Sequence, residues 1–208
     1  MGFYRKTYFC VCAGQQEELY LKRVAFLLKK LPERVVTFNT VMGQPSRLKK
    51  TYTEYDCAAL FDYDFNDVYF KNNIQICDKL NNENKQKKRK SGKNVYHAYS
   101  NVNFDLWLIL HKEDYNRTVF KNDAYIPEVR RVYGLGNNDD IKNRNIICKI
   151  LEKIELDDIK KAIERATKIR EGKISDDKVV LGSTIYYANP DFSIHEFLKK
   201  VLIDCGGF

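Results

Sequence analysis

The sequence predicts an α/β protein: a mostly parallel sheet sandwiched by helices, followed by a more helical C-terminal part. Three observations carry this. Through the first half of the chain, short apolar runs that read as strands alternate with segments of helical periodicity. One run, Cys57-Ala58-Ala59-Leu60-Phe61, is apolar throughout and shows no helical stripe, the pattern of a strand buried on both faces. It passes directly into Asp62-Tyr63-Asp64, which puts two acids at the strand's carboxyl end, the edge at which open parallel sheets bind ligands. Carboxylates one residue apart there can converge on a hard divalent cation through oxygen. Acids after a strand also serve as turn residues and helix caps, and the pair alone does not separate the two readings.

In chain order, Thr7-Tyr8-Phe9-Cys10-Val11-Cys12 is a buried-strand segment ended by Gly14. Leu21, Val24, Ala25 and Leu28 then recur at helical spacing from Glu18 onward, closing in Lys29-Lys30 with Pro32 beyond. Arg34 to Phe38 is a third short strand, Pro45-Ser46 opens a short helix, and the Cys57 strand follows. Phe70, Ile74, Cys77 and Leu80 mark the next helix. Asn81 through Asn94 has no apolar residue and holds Lys85, Lys87, Lys88, Arg89, Lys90 and Lys93, so it reads as an exposed, mobile loop. Such a loop is either a solvated connection or an arm that contacts phosphates through charge. Val95 to Tyr99 resumes as a strand stopped by Ser100-Asn101, and Phe104, Trp107, Leu108 and His111 share one face of a helix. His111 at that spacing reads as a satisfied buried or capping histidine ahead of a ligand.

Three apolar stripes follow, around Ile126 to Tyr133, Ile146 to Leu151 and Ile159 to Ile169, the first ended by Gly134 and the last by Gly172. Ser193-x-x-Glu196 has the spacing of a capping box opening a final helix through Phe197, Val201 and Leu202, which leaves His195 in its first turn, exposed or near-exposed. The expected division is a catalytic core over 1–115 and a helical layer or lid over 116–208 that returns to it.

With 208 residues, 44% of them hydrophobic, the chain can bury a core of its own. A net charge of +8 suits a polyanionic partner without requiring one. No apolar run reaches membrane-spanning length and Met1 to Lys6 lacks a signal-peptide core, so the expected location is the cytoplasm, with no membrane partner. The six cysteines are scattered without a Cys-x-x-Cys pair and read as buried thiols, Cys10 and Cys12 on one strand face. The chain has no phosphate loop of the Gly-x-x-x-x-Gly-Lys-[Ser/Thr] type, no Gly-x-Gly-x-x-Gly turn and no Gly-x-Ser-x-Gly elbow. ATP hydrolysis, dinucleotide binding and serine-hydrolase chemistry therefore lack their usual parts.

Four blocks, taken together, resemble the motifs of RloB-like proteins. These are Cys12-Ala13-Gly14-Gln15-Gln16-Glu17, Asp62-Tyr63-Asp64, Ser100-Asn101-Val102-Asn103-Phe104-Asp105-Leu106-Trp107-Leu108-Ile109-Leu110-His111 and Asn189-Pro190-Asp191-Phe192-Ser193-Ile194-His195. The corresponding family patterns are Cys-Glu-Gly-x-Thr-Glu, Asp-x-Asp, Ser-Asn-Pro-x-Phe-Glu-x-Trp-Leu-x-x-His and Asn-Pro-x-Thr-x-x-His. The resemblance implies a Toprim-like fold and a Mg²⁺- or Mn²⁺-dependent nuclease of abortive-infection defence against phage, acting on tRNA, other RNA or DNA. It implies an ATPase of the ABC or SMC type as partner, with a homodimer as a further expectation.

On that resemblance Asp62 and Asp64 hold metal, with Asn101 and His111 as candidate supporting residues; the nucleic-acid contacts expected of Lys87, Lys88, Arg89 and Lys90 rest on their charge alone. Ala13 departs from the family pattern, standing where the family has a catalytic Glu, and Gln16 and Val102 are milder departures. A methyl group neither positions metal nor manages a proton, so hydrolysis is expected to be impaired. Ala13 then marks either a naturally inactive branch or, as the matching residues around it favour, a deliberate replacement. The alternative function is a non-catalytic nucleic-acid-binding or interaction subunit of a defence complex.

Overall fold

The computed structural model describes residues 4–31, 34–86, 93–173 and 178–207. Strands β1 (Tyr4–Cys12), β2 (Arg34–Met42), β3 (Asp56–Asp62) and β4 (Val95–Asn101) are all parallel, in the order β2-β1-β3-β4. A two-residue strand, β7 (Asp191–Phe192), adds antiparallel to β4 and closes that edge. The fold is thus α/β with a mostly parallel sheet, as the alternating pattern predicts.

Strand alternation divides the core in two. Tyr8, Cys10 and Cys12 of β1, with Ala58, Leu60 and Ala98, pack against α1 (Gln15–Leu28), α3 (Phe104–Leu110), α4 (Ile126–Tyr133), α5 (Arg144–Glu152), α6 (Leu156–Glu171) and α7 (Ile194–Asp204). Val11, Cys57, Ala59, Phe61 and Tyr99 face the other way. There they meet α2 (Asp67–Gln86), the 3₁₀ turn Pro45–Lys50 and Tyr186 of a hairpin formed by β5 (Lys178–Leu181) and β6 (Thr184–Tyr187). All of Cys57 to Phe61 is buried, so β3 is covered on both faces. None of the six cysteines, all among the described residues, is in a disulfide; five are buried and Cys148 is half-buried.

The structure corrects three expectations. Helix α2 does not stop at Leu80 but runs to Gln86, because its asparagines bond outside the helix. Asn81 donates to Val95 O at 2.5 Å and accepts from Val95 N at 2.7 Å, and buried Asn84 donates to Tyr52 O and Lys93 O, both at 2.9 Å. The segment 116–208 carries α4 to α7, the expected helical part, and also supplies β5, β6 and β7. Helix α7 begins after Ser193, but no capping box forms: the Ser193 hydroxyl donates to His97 O and accepts from Tyr99 N at 3.0 Å, joining β4 to α7 instead. His195 is 5% exposed rather than surface-facing, and burial pushes its pKa down to about 3. Lys87, Lys88, Arg89 and Lys90 lie outside the described residues.

The Asn81 clamp satisfies both backbone groups of Val95 at the start of β4. Asn81→Ala is expected to destabilise the protein by about 1–3 kcal/mol, with the urea midpoint falling at unchanged slope in chemical denaturation.

Candidate active site at the carboxyl edge of the sheet

The chain leaves β1 toward β2 on one side and returns to β3 on the other, so the topological switch of the sheet lies between β1 and β3. Ligands of open α/β sheets bind in the crevice outside the strand ends at such a point. Ala13, which follows β1, donates its N–H to Leu60 O at 2.9 Å, and Asp62 ends β3. A pocket of about 270 Å³ opens there, lined by Ala13, Gly14, Gln15, Gln16, Glu17, Asp62, Asp64, Lys142 and Ile147.

The loop after β3 is held by backbone groups. Tyr63 N donates to Ser100 O at 3.2 Å and Val102 O at 3.0 Å, and Asp64 N also donates to Val102 O at 3.0 Å. Asp64 and Phe65 have φ of 47° and 53°, two consecutive non-glycine residues in the left-handed region. Each costs about 1–3 kcal/mol, strain that persists only where surrounding structure imposes it and that concentrates at functional sites. Here the β4 exit imposes it.

Four carboxylates are gathered in and around this pocket. Glu17, in the first turn of α1, is 3% exposed, and it fits because residue 14 is glycine: a Cβ there would lie 2.8 Å from Glu17 Oε2. Asp105, at the start of α3, is fully buried; its backbone N–H donates to the cap residue Asn103 at 3.1 Å. The Lys142 ammonium reaches both Asp105 oxygens, at 2.9 and 3.0 Å, and Gln16 Oε1 at 3.2 Å, while the Gln16 amide donates to Asp105 Oδ1 at 3.1 Å.

Burial raises the Glu17 pKa to about 7 against the pull of backbone hydrogen bonds and Lys142, with Asp105 adding to the rise. Desolvation, then the charges of Glu17 and Asp64, hold Asp62 well above the ordinary carboxylate range. Asp64 is raised as well, by desolvation first. Burial works against the charge of Lys142, yet Asp105, Asp62 and Glu17 outweigh it and hold its pKa up.

The predicted residues Ala13, Asp62 and Asp64 therefore share one pocket. Asn101 is 3% exposed at the end of β4 and lines a neighbouring groove. His111 is fully buried, bonded through Nε2 to Tyr20 OH at 3.0 Å and through Nδ1 to Trp107 O at 2.8 Å, and burial lowers its pKa to about 4. Its place is in the α1–α3 packing.

Sequence reasoning missed Glu17, Asp105 and Lys142. The two acids lie inside the recognised motif blocks and were within reach. Lys142 stands alone in a polar connection and carries no sequence signal.

An acid cluster at the switch point of a mostly parallel α/β sheet lies at the edge where open α/β proteins bind their ligands. This chain belongs to the RloB-like family, whose model matches residues 8–201. No curated protein and no solved structure matches the chain. No helix among the described residues is long and apolar enough to cross a membrane.

The raised pKa values fix a pH dependence. The unfolded chain releases these protons at ordinary carboxylate pH while the folded Glu17 holds its proton to about 7, so their contribution lowers stability as pH rises through that window. Glu17→Gln is expected to stabilise the protein by on the order of 1–3 kcal/mol at pH 8 and little at pH 4. Lys142→Met is expected to act oppositely at pH 8. Denaturant melts of both variants at the two pH values check the signs.

Proposed function

We propose that this chain is a Toprim-like, metal-dependent endonuclease of antiphage defence acting on nucleic acid, with hydrolysis impaired by Ala13. The observation that carries the reading is the set of acids Glu17, Asp62, Asp64 and Asp105 at the sheet's switch point, balanced by Lys142.

The donors suit a hard divalent cation, because they are carboxylate oxygens whose mutual repulsion and burial already raise their proton affinity. Among the described residues no group of three or more His, Cys, Asp or Glu is arranged to hold a metal ion. Mg²⁺ fits nonetheless, since it commonly uses one or two protein carboxylates and keeps water and substrate phosphate as its other ligands. Asp62 and Asp64 would hold it, and it would supply Lewis-acid charge at the phosphoryl oxygens and lower the pKa of bound water.

The remaining roles belong to the chain itself. Glu17, titrating near 7, suits the acceptance or release of a proton at its carboxylate oxygen at neutral pH. Asp105 and Gln16 orient the Lys142 ammonium, a permanent positive charge in the pocket for an anionic substrate.

Ala13 favours a second reading, a non-catalytic nucleic-acid-binding or interaction subunit acting beside an ABC- or SMC-type ATPase. Ala13→Glu separates the two. With Mg²⁺ or Mn²⁺ it is expected to cleave tRNA or DNA, alone or with the ATPase. Adding Asp64→Asn is expected to abolish that cleavage, keep the fold, and remove the rise in melting temperature that Mn²⁺ produces. No cleavage by the Ala13→Glu form under any of these conditions selects the binding-subunit reading.

The basic segment enters this proposal as a phosphate contact rather than a base reader, since no aromatic interrupts Lys87, Lys88, Arg89 and Lys90. Replacing all four by Gln is expected to weaken nucleic-acid binding and flatten its dependence on salt, measured by titration at several ionic strengths. Unchanged affinity and slope would leave the segment a simple connection.

A further inference from the structure

The loop that carries Asp62 and Asp64 also borders a second groove, of about 310 Å³. Tyr63 and Phe65 of the loop line it with Lys71 of α2, Asn101 of β4, and Tyr186 and Tyr187 of the β5–β6 hairpin. Four aromatic rings in one groove at a sheet edge call for an account beyond core packing. Phe65 is 41% exposed and sits at positive φ, where a bulky residue is uncommon, so neither burial nor backbone preference explains a ring there. The rings are nonetheless ordered through one another. Tyr63 meets Phe65 edge-on at 5.7 Å and Phe70 at 5.3 Å, and Phe70 meets Tyr186 at 5.2 Å.

Charge and hydrogen bonding narrow the ligand. Lys71 is paired with Asp67 at 3.0 Å, and the other Asp67 oxygen accepts from Tyr63 OH at 2.8 Å, so this cation is already balanced. The groove therefore suits a flat, uncharged group better than a phosphate. The amide of Asn101, which lines the groove, donates to Tyr187 O at 3.0 Å, which leaves Oδ1 as a buried acceptor with no hydrogen-bond partner. Buried acceptors are rarely left so. A planar ligand with apolar faces and an N–H edge matches both features, and a nucleobase has that chemistry.

We propose that the groove takes one unstacked nucleobase of the strand whose phosphate lies at the acid pocket, so that the chain engages single-stranded or flipped-out nucleotides rather than continuous duplex. This rests on the nucleic-acid reading above and adds the form of the substrate. Stacking tolerates any base, and Asn101 accepts from whichever N–H the base presents, so the groove selects for strandedness more than for sequence.

The test uses the full chain without added metal, a single-stranded oligonucleotide carrying 2-aminopurine, and the duplex of the same sequence, followed by anisotropy and 2-aminopurine emission. Single strand is expected to bind more tightly than duplex, with emission quenched on binding. Phe65→Ala is expected to weaken single-strand binding about ten-fold, the order of one lost stacking partner, and to reduce the quench, leaving duplex affinity unchanged. Phe65→Trp is expected to restore both, and thermal melts establish that each variant is folded. Single-strand binding and quench unaltered in Phe65→Ala would overturn the groove assignment while leaving the nuclease reading standing. Equal weakening for duplex would overturn it likewise. Failure of the unaltered chain to bind either form would overturn both.

Discussion

Without the ammonium of Lys142, the carboxylates of Glu17, Asp62, Asp64 and Asp105 would crowd the carboxyl edge of the sheet with no cation among the described residues that line the pocket. Repulsion between neighbouring like charges, in surroundings less polar than water, is large enough to bear on where the helices can sit. Lys142 answers it through Asp105, which is fully buried and would otherwise be an uncompensated charge, and through Gln16 on α1. One side chain thereby links the first turns of α1 and α3, the two helices that begin at the strand ends around the pocket. Removing one partner of a buried pair leaves the other charge stranded, which costs more than the pair contributes while intact.

This arrangement makes the C-terminal segment part of the site and the core rather than a cover over them. Lys142 precedes α5, and β7 completes the sheet. Arginines tie the layers through backbone carbonyls: Arg23 of α1 donates to Ile154 O, Arg165 of α6 to Leu110 O, and Arg170 to Ile185 O and Phe192 O. Asn189 clamps the backbone N–H and C=O of Val119 with its amide, at 2.9 and 3.1 Å. The fourth motif block thus works largely as a fastening. Asp191 accepts from Tyr99 OH at 2.6 Å and Tyr187 N at 2.9 Å, and Ser193 joins β4 to α7.

The parallel sheet was legible because Cys57 to Phe61 and Thr7 to Cys12 are apolar runs too short and too continuous for helices, with acids or glycine where they stop. Asp62 and Asp64 were legible for the same reason. What escaped depends on tertiary contacts. The Asn81–Gln86 turns of α2 lack apolar periodicity and exist because Asn81 and Asn84 bond to Val95, Tyr52 and Lys93. β7 is two residues long, too short for any pattern. The Ser193-x-x-Glu196 spacing predicted the start of α7 correctly and its capping wrongly, because His97 O and Tyr99 N claim the hydroxyl and Arg170 claims Glu196 at 2.9 Å. Lys142 is visible only once the fold brings residue 142 to residue 105.

On the proposed function, the paired left-handed residues Asp64 and Phe65 set stability against activity at two adjacent positions. Glycine at either would relax the backbone, so a search for more stable variants is drawn there first. Each such gain would delete a carboxylate from the acid pocket or a ring from the aromatic groove. A lineage released from the need for this site would be expected to accumulate glycine at 64 and 65 early, which makes the identity of those two residues a readable record of whether the edge of the sheet is still in use.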